Sequence, residues 1–153
     1  MEVNIYIDTY HTGKQKSGTG TYCIVLVYIK DGKEAGTKHH LEGLTGTTRY
    51  RTEITACIAA LEYMVKICDV NIIINSLHVT QAINTNDWFR WINTGLNAKN
   101  KPAKNMDLWK QLFDLVGKYH TTFTYAASNQ YTEYMKSRMR HEKIEYKEDA
   151  NNV

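Results

Sequence analysis

Val3-Asn4-Ile5-Tyr6-Ile7-Asp8 is the stretch that decides the fold, because it predicts the strand around which the rest of the chain is arranged. Side chains alternate across a strand with period two, so its three aliphatic residues share one face and Asp8 lies on the other. The predicted strand ends on this carboxylate, and in α/β sheets the carboxyl ends of strands border the crevice where ligands bind. Asp8 is therefore a candidate site residue. The alternative is that it only opens a turn at residues 11–13.

The composition is that of one globular domain. The chain has 153 residues, of which 42% are hydrophobic and 23% charged, and this length is sufficient to bury a sizeable core. It has neither an apolar run of 18 residues nor an N-terminal signal pattern, which predicts a cytoplasmic protein that is not membrane-bound. Cys23, Cys57 and Cys68 lack metal-ligand spacing and are expected to be reduced and buried.

The net charge of +3 is small, but the basic residues gather in predicted loops. Lysines of the first loop, arginines before the long helix and lysines around the only proline form three clusters: Lys14 and Lys16; Arg49 and Arg51; Lys99, Lys101, Lys104 and Lys110. Such clusters can contact phosphates. A solvated loop is the alternative explanation for each.

The predicted elements are three antiparallel strands, a helix, a parallel strand, a helical segment, a strand and a last helix. Apolar residues spaced three and four apart from Ile54 to Cys68 predict the long helix. Glu53 is expected in its first turn, where a carboxylate also suits the helix dipole. Gly117 is expected to end a later helix, and 132–141 is predicted as the last one.

The apolar run Val70–Ile74 predicts a strand that pairs in parallel with the first strand, because a helix connects the two. Asn75 follows this run, so we expect it beside Asp8 at the same edge of the sheet. The alternative is that Asn75 or Ser76 only caps the next helix.

This order of elements resembles that of the ribonuclease HI family, whose members cut the RNA of RNA–DNA hybrids. The motifs that carry the resemblance are Tyr6-Ile7-Asp8, Thr47 to Glu53, Ala59 to Glu62, Asn75 to Val79 and Lys101 to Trp109. The resemblance implies an α/β ribonuclease H-like fold, with a mixed five-stranded sheet of three antiparallel strands and then parallel strands, flanked by helices. It assigns residues 1–141 to this domain and leaves 142–153 as a polar tail that is expected to fray.

The family hydrolyses phosphodiesters with two Mg²⁺ ions about 4 Å apart, held by four acids. The resemblance places Asp8 and Glu53 at the first two acid positions and Asn75 at the third. The fourth falls at Met135, one residue uncertain either way, and no acid stands there. An amide brings no negative charge, so at most one Mg²⁺ or Mn²⁺ is expected, weakly bound by Asp8 and Glu53.

The resemblance also implies substrate contacts from the first loop, the turn before the long helix and the basic aromatic segment: Lys14, Lys16, Arg49, Tyr50, Arg51, Trp88, Trp91, Lys99, Lys101 and Lys104. The family recognises RNA through its 2′-hydroxyls and the shape of the duplex. Arg49 and Tyr50 replace two asparagines of that pattern, and Ser128-Asn129-Gln130 replaces a loop that carries a histidine in the family. Phosphate attraction is therefore expected to persist while hydroxyl recognition weakens.

Three functions remain open at this point. The first is a ribonuclease H-like protein with impaired catalysis and weak residual binding of nucleic acid, RNA–DNA hybrid included. The second is an active variant that hydrolyses the RNA strand of hybrids with one divalent ion. The third is a non-enzymatic scaffold that self-associates through Trp88, Phe89 and Trp91. Both a monomer and a dimer are compatible with the sequence.

Overall fold

The computed structural model describes residues 1–152. Within them six strands form one mixed sheet with helices packed on both faces. The elements in chain order are β1 (Glu2–Thr12), β2 (Gly18–Lys30), β3 (Lys33–Thr47), α1 (Arg49–Glu62), β4 (Asp69–Ile74), α2 (Leu77–Asn84), α3 (Asp87–Thr94), α4 (Met106–Lys118), β5 (Thr121–Tyr125), α5 (Thr132–His141) and β6 (Tyr146–Glu148). The strands lie in the order β5-β4-β1-β2-β3-β6.

Alternation along the central strands divides the core between the two faces of the sheet. On β1 the aliphatic residues Val3, Ile5 and Ile7 are at most 1% exposed and belong to the main core under α1 and α4. On β2 the residues of opposite parity face α5 and form a smaller core: Cys23, Val25 and Val27. All three cysteines are free, as predicted; Cys23 and Cys57 are buried and Cys68 is half-buried.

Asp8 lies where the parallel pairing of β1 stops. β1 pairs with β4 as far as Ile7 and Ile74, whereas its antiparallel pairing with β2 continues to Thr12. The prediction that the strand ends at Asp8 is wrong, because β2 holds it in extended form for four more residues. The β4 side of β1 opens at Asp8, so the crevice forms where the sequence predicts it. The alternative role of Asp8 in a turn is excluded.

α1 begins earlier than its apolar spacing indicates. The Thr48 hydroxyl caps it by accepting a backbone hydrogen bond of 3.1 Å, so Glu53 falls in the second turn and the prediction of a first-turn position is wrong. The helix also ends at Glu62, and Val65 is 78% exposed. The continuous apolar face predicted as far as Cys68 is therefore shorter, because the chain leaves the helix to enter β4.

Part of the segment expected to fray forms a short strand at the edge of the sheet. β6 pairs in parallel with β3 from Gly43–Tyr146 to Thr45–Glu148. The Tyr146 ring packs so closely on Gly43 that a Cβ there would collide with it. The prediction of five strands is wrong, because the long edge of β3 accepts this sixth strand. A strand of three residues carries no periodicity from which it could be predicted.

α4 continues through Gly117, and the prediction that this glycine ends the helix is wrong. The capping residue is Tyr119, whose backbone N–H donates to the carbonyl of Leu115 at 3.1 Å. Tyr119 is only 5% exposed, so its burial favours one further helical residue beyond the glycine. Among residues 1–152, no helix is long and apolar enough to cross a membrane.

Candidate active site

Asp8 is buried at the open edge of β1, with 4% of its surface exposed. Its Oδ1 accepts hydrogen bonds from Asn75 Nδ2 at 2.9 Å and from the Thr9 N–H at 3.1 Å. Among residues 1–152, no donor reaches its Oδ2. Burial raises the pKa of Asp8, and the charge of Lys136 and the two hydrogen bonds oppose that rise. One carboxylate oxygen is thus fixed and the other is left without a partner.

Glu53 is presented by the buried face of α1 and is 2% exposed. The Arg49 Nε lies 3.6 Å from its Oε1, one turn earlier on the helix. Its Oε2 accepts no hydrogen bond from any of the described residues 1–152. Burial raises the pKa of Glu53, against the opposing effects of the Ser76 hydroxyl and Arg49. Glu53 therefore resembles Asp8 in keeping one buried oxygen free.

Asn75 follows β4 and faces Asp8, as the parallel pairing predicts. Capping of α2 is performed by Ser76, whose Oγ accepts from the Val79 N–H at 3.2 Å, so Asn75 is free for another role. Its amide donates to Asp8, which an ionised aspartate could not do. Two aspartates at positions 8 and 75 would be like charges that need a cation between them, and here a hydrogen bond joins the two side chains instead.

Each of the two free carboxylate oxygens is a candidate ligand for a hard cation. Mg²⁺ and Mn²⁺ bind oxygen ligands, and a buried acceptor without a donor costs roughly 1–3 kcal/mol, which a bound cation would relieve. Within residues 1–152, no group of three or more histidine, cysteine, aspartate or glutamate side chains is placed to hold a metal. Asp8 and Glu53 are therefore the residues of this site whose chemistry suits a divalent ion.

α5 turns cationic side chains towards Asp8. Met135 is 0% exposed and packs in the smaller core with β2, so of the positions within one residue of the predicted fourth one it is Lys136 that lines the crevice. Burial of Met135 fixes the rotation of the helix and directs Lys136, the next residue, into the crevice together with Arg140 one turn later. Glu133, the nearest acid of this helix, lies exposed in its first turn.

Two cavities meet at Asn75. The first, which we name the α5 cavity, has a volume of about 390 Å³ and is lined by Asp8, Thr9, Tyr10, Asn75, Lys136, Met139 and Arg140. The second, the α1 cavity, has a volume of about 300 Å³ and is lined by Thr9, Tyr10, His11, Arg49, Glu53 and Asn75. Each cavity contains one of the two carboxylates, and Asn75 lies between them.

Of the three turn residues predicted to bind substrate, only Arg49 lines a cavity with Asp8 or Glu53. Tyr50 stacks on His78, with ring centroids 3.8 Å apart. Arg51 is 3% exposed and forms ion pairs of 2.7 Å with both Asp107 and Asp149. Its prediction as a substrate ligand is wrong, because these carboxylates and a third partner, Asn105, occupy the guanidinium donors.

The basic loops lie apart from the carboxylates. Lys16 and Lys104 line a separate cavity of about 480 Å³ beside Tyr50. The remaining predicted lysines are exposed: Lys14, Lys99 and Lys101. Such residues can contact a backbone at a distance from the reacting bond.

The two tryptophans differ in accessibility to a ligand. Trp88 donates from Nε1 to the Ile83 carbonyl at 3.0 Å and stacks on Phe113 at 4.3 Å, which makes it a packing residue. Trp91 lines a cavity of about 210 Å³ together with Tyr50 and Lys104. Trp91 thus keeps access to a ligand that Trp88 lacks.

Sequence reasoning placed Lys136 only within one residue of the predicted fourth position, and it missed Arg140 and Asp149. The first two are four residues apart, so they share a helix face beside the apolar stripe of Met135 and Met139. Assigning that stripe to the core would have revealed the cationic face. Asp149 gave no such signal, because it follows the short strand β6.

Comparisons with known proteins identify the family and the fold. A family model described as RNase H matches residues 1–144. The ribonuclease H of Lachnoclostridium phytofermentans is 35% identical over 124 residues, which are 80% of this chain and 78% of that protein. A type 1 RNase H with the type 2 active-site motif, LC9-RNase H1, shares the fold with a TM-score of 0.71 at 15% identity, over 93% of this chain and 74% of that one. A foamy viral protease-reverse transcriptase in complex with an RNA/DNA hybrid has a TM-score of 0.66 at 20% identity, over 86% of this chain and 18% of that one.

The sheet carries the two buried carboxylates of Asp8 and Glu53, and the family model matches the chain over nearly its whole length. This protein therefore belongs to the RNase H family.

Proposed function

We propose that this protein binds nucleic acid, RNA–DNA hybrid included, and that its hydrolytic activity is strongly impaired. The observation that carries the proposal is the identity of the groups around Asp8. Where the family pattern calls for two further acids, the crevice contains the Asn75 amide and the Lys136 ammonium. The RNase H family generally uses divalent metal ions, and here two of the negative charges that would balance them are absent.

The surrounding charges also weaken metal binding. The two carboxylates share their cavities with three cationic side chains: Arg49, Lys136 and Arg140. A centre that holds two dications needs an excess of negative charge, and this site has none. We therefore expect at most one Mg²⁺ or Mn²⁺, bound weakly.

The residues present define what such a site can do. A divalent ion, when bound, supplies Lewis-acid polarisation of a phosphate ester. Asp8 and Glu53 would hold it through their free oxygens, and the Asn75 amide keeps the Asp8 carboxylate oriented. Arg49 orients Glu53 from the exposed end of α1.

Nucleic acid is the partner that the surface favours. The exposed Lys16 and Lys104 line cavities that also contain Tyr50, and one structural neighbour was solved in complex with an RNA/DNA hybrid. The protein has a net charge of only +3, so we expect weak binding that decreases as salt is raised.

A cleavage assay tests the proposal. A labelled RNA–DNA hybrid is incubated with the protein in Mg²⁺ and in Mn²⁺, and Asp8→Asn serves as the inactive control. We expect product formation close to that of Asp8→Asn together with measurable hybrid binding. Rapid multiple turnover at low protein concentration, abolished by Asp8→Asn, would contradict impaired catalysis.

A slow one-ion ribonuclease H is the second candidate, and the two partnerless oxygens favour it. Two buried acceptors on neighbouring elements indicate a retained cation position. Under this alternative Asn75→Asp raises cleavage several-fold, because it adds a charged ligand. An unchanged rate in that variant would argue against it.

A further inference from the structure

We propose that the α5 cavity binds a backbone phosphate of nucleic acid without a metal ion, and that Lys136 and Arg140 supply the positive charge. The inference rests on the proposed function and deepens it, because it names the group that binds beside Asp8. In this view the Lys136 ammonium occupies the position where the family has an acid that helps to hold the second metal ion.

The two cationic side chains are available to a ligand. Lys136 and Arg140 both line the cavity with Asp8 and Asn75, and both are exposed. Neither forms a salt bridge with any residue in the range 1–152. On the same helix, Arg138 pairs with Glu142 at 2.7 Å. The helix thus neutralises one cation internally and directs two others to the cavity.

The charge of the cavity favours an anion. Lys136 and Arg140 contribute two positive charges and Asp8 one negative charge. Lys136 and Asp8 line the same cavity, so the ammonium and the carboxylate are placed to interact through their charges. A second dication placed here would meet two fixed positive charges, whereas a phosphate would meet two favourable partners.

The neighbouring α1 cavity suits a cation, whereas the α5 cavity suits a phosphate. The α1 cavity holds Glu53 with its free Oε2, which suits a cation. The α5 cavity, at about 390 Å³, has room for a phosphodiester and its adjoining sugars. Asn75 lies on the boundary and donates its amide hydrogen to Asp8, which reduces the repulsion between Asp8 and an incoming phosphate.

Hybrid binding in EDTA tests the inference. Fluorescence anisotropy of a short labelled RNA–DNA hybrid is measured with the wild-type protein, with Lys136→Ala/Arg140→Ala, and with Lys33→Ala/Lys66→Ala. The control pair removes the same charge from exposed positions near the opposite end of the central strands, where β1 begins. We expect the site variant to bind about tenfold more weakly and the slope of log K against log salt to become shallower by about 2.

The outcomes separate the two proposals. Equal losses in both pairs, or none in the site variant, would overturn the phosphate inference and leave nucleic-acid binding in place. Absence of hybrid binding by the wild-type protein would overturn both. A sharper loss for the site variant, with unchanged thermal unfolding, supports the inference.

A charge-reversal variant supplies a readout that needs no nucleic acid. Lys136→Asp restores an acid that faces Asp8, so calorimetric titration with Mn²⁺ is expected to show at least several-fold tighter binding than in the wild type. In EDTA the same variant is expected to bind hybrid more weakly than Lys136→Ala. Unchanged Mn²⁺ affinity would show that Lys136 does not stand at the ion position and would overturn the inference.

Discussion

The amide of Asn75 donates its hydrogen bond to Asp8 in the position where an aspartate would repel it. This single replacement allows two polar residues to share a buried crevice without a cation. The Asn75 side of Asp8 is therefore satisfied without a metal ion, and one oxygen of each site carboxylate, Asp8 Oδ2 and Glu53 Oε2, has no hydrogen-bond partner within residues 1–152.

The variant Asn75→Asp is expected to reverse this arrangement. Loss of the hydrogen bond and the new repulsion should lower the free energy of unfolding in EDTA by about 1–2 kcal/mol. Mn²⁺ should restore stability and raise the Tm of the variant more than that of the wild type. Asn71→Asp, the same change on β4 where the side chain accepts from two threonines, is the control. Equal responses of the two variants to Mn²⁺ would contradict the assignment.

The half-buried His78 side chain is expected to lower the free energy of unfolding in acid. Burial, together with the charge of Arg49, lowers its pKa to about 4, whereas the unfolded chain has a value near about 6.5. The unfolded state therefore binds the proton first, and the free energy of unfolding should fall by up to roughly 3 kcal/mol as the pH drops through this window.

Urea unfolding across that pH range checks the effect of His78. His78→Gln should flatten the dependence of the free energy of unfolding on pH. If His78→Gln retains the full acid loss, another group is responsible.

At the scale of elements, the segment after β6 stabilises the start of α1 through the contacts of Asp149. Asp149 follows β6 and shares the buried Arg51 guanidinium with Asp107. It also accepts from the Thr47 hydroxyl at 2.8 Å. These contacts tie β3, α1 and α4 together beside the helix that carries Glu53.

Asp149→Ala should destabilise the fold by about 3 kcal/mol, because it leaves a buried arginine short of a partner. The measurement is the free energy of unfolding in urea. Asp87→Ala, which breaks a pair with Arg90 that is 46% exposed on each side, should cost less than about 0.5 kcal/mol. Similar small losses in the two variants would mean that the segment after β6 does not anchor α1.

Some features of these elements could be predicted from the sequence, and others could not. Alternation in β1 and the parallel pairing of β4 predicted the meeting of Asp8 with Asn75, because period and connectivity are local or topological properties. The fourth position was predicted only to within one residue of Met135, because the packing of α5 against β2 decides which side chain of the helix faces the crevice. The role of Arg51 depended on Asp149, which is 98 residues away in the chain, and no local pattern connects the two.

At the scale of the whole molecule, the surface argues against self-association through the aromatic segment. Trp88 and Trp91 pack against the main core, and Phe89 remains 58% exposed. One exposed ring is a small patch. The basic loops and the α5 cavity offer more extensive contacts, and these suit a polyanion.

Restoring the two absent acids tests the central claim most directly. Cleavage of an RNA–DNA hybrid in Mg²⁺ and Mn²⁺ is compared among the wild type, Asn75→Asp/Lys136→Asp and the same double variant with Asp8→Asn. The account predicts negligible turnover by the wild type, measurable metal-dependent cleavage by the double variant, and its loss when Asp8 is replaced. Robust turnover by the wild-type protein, with no gain from the restored acids, would contradict it.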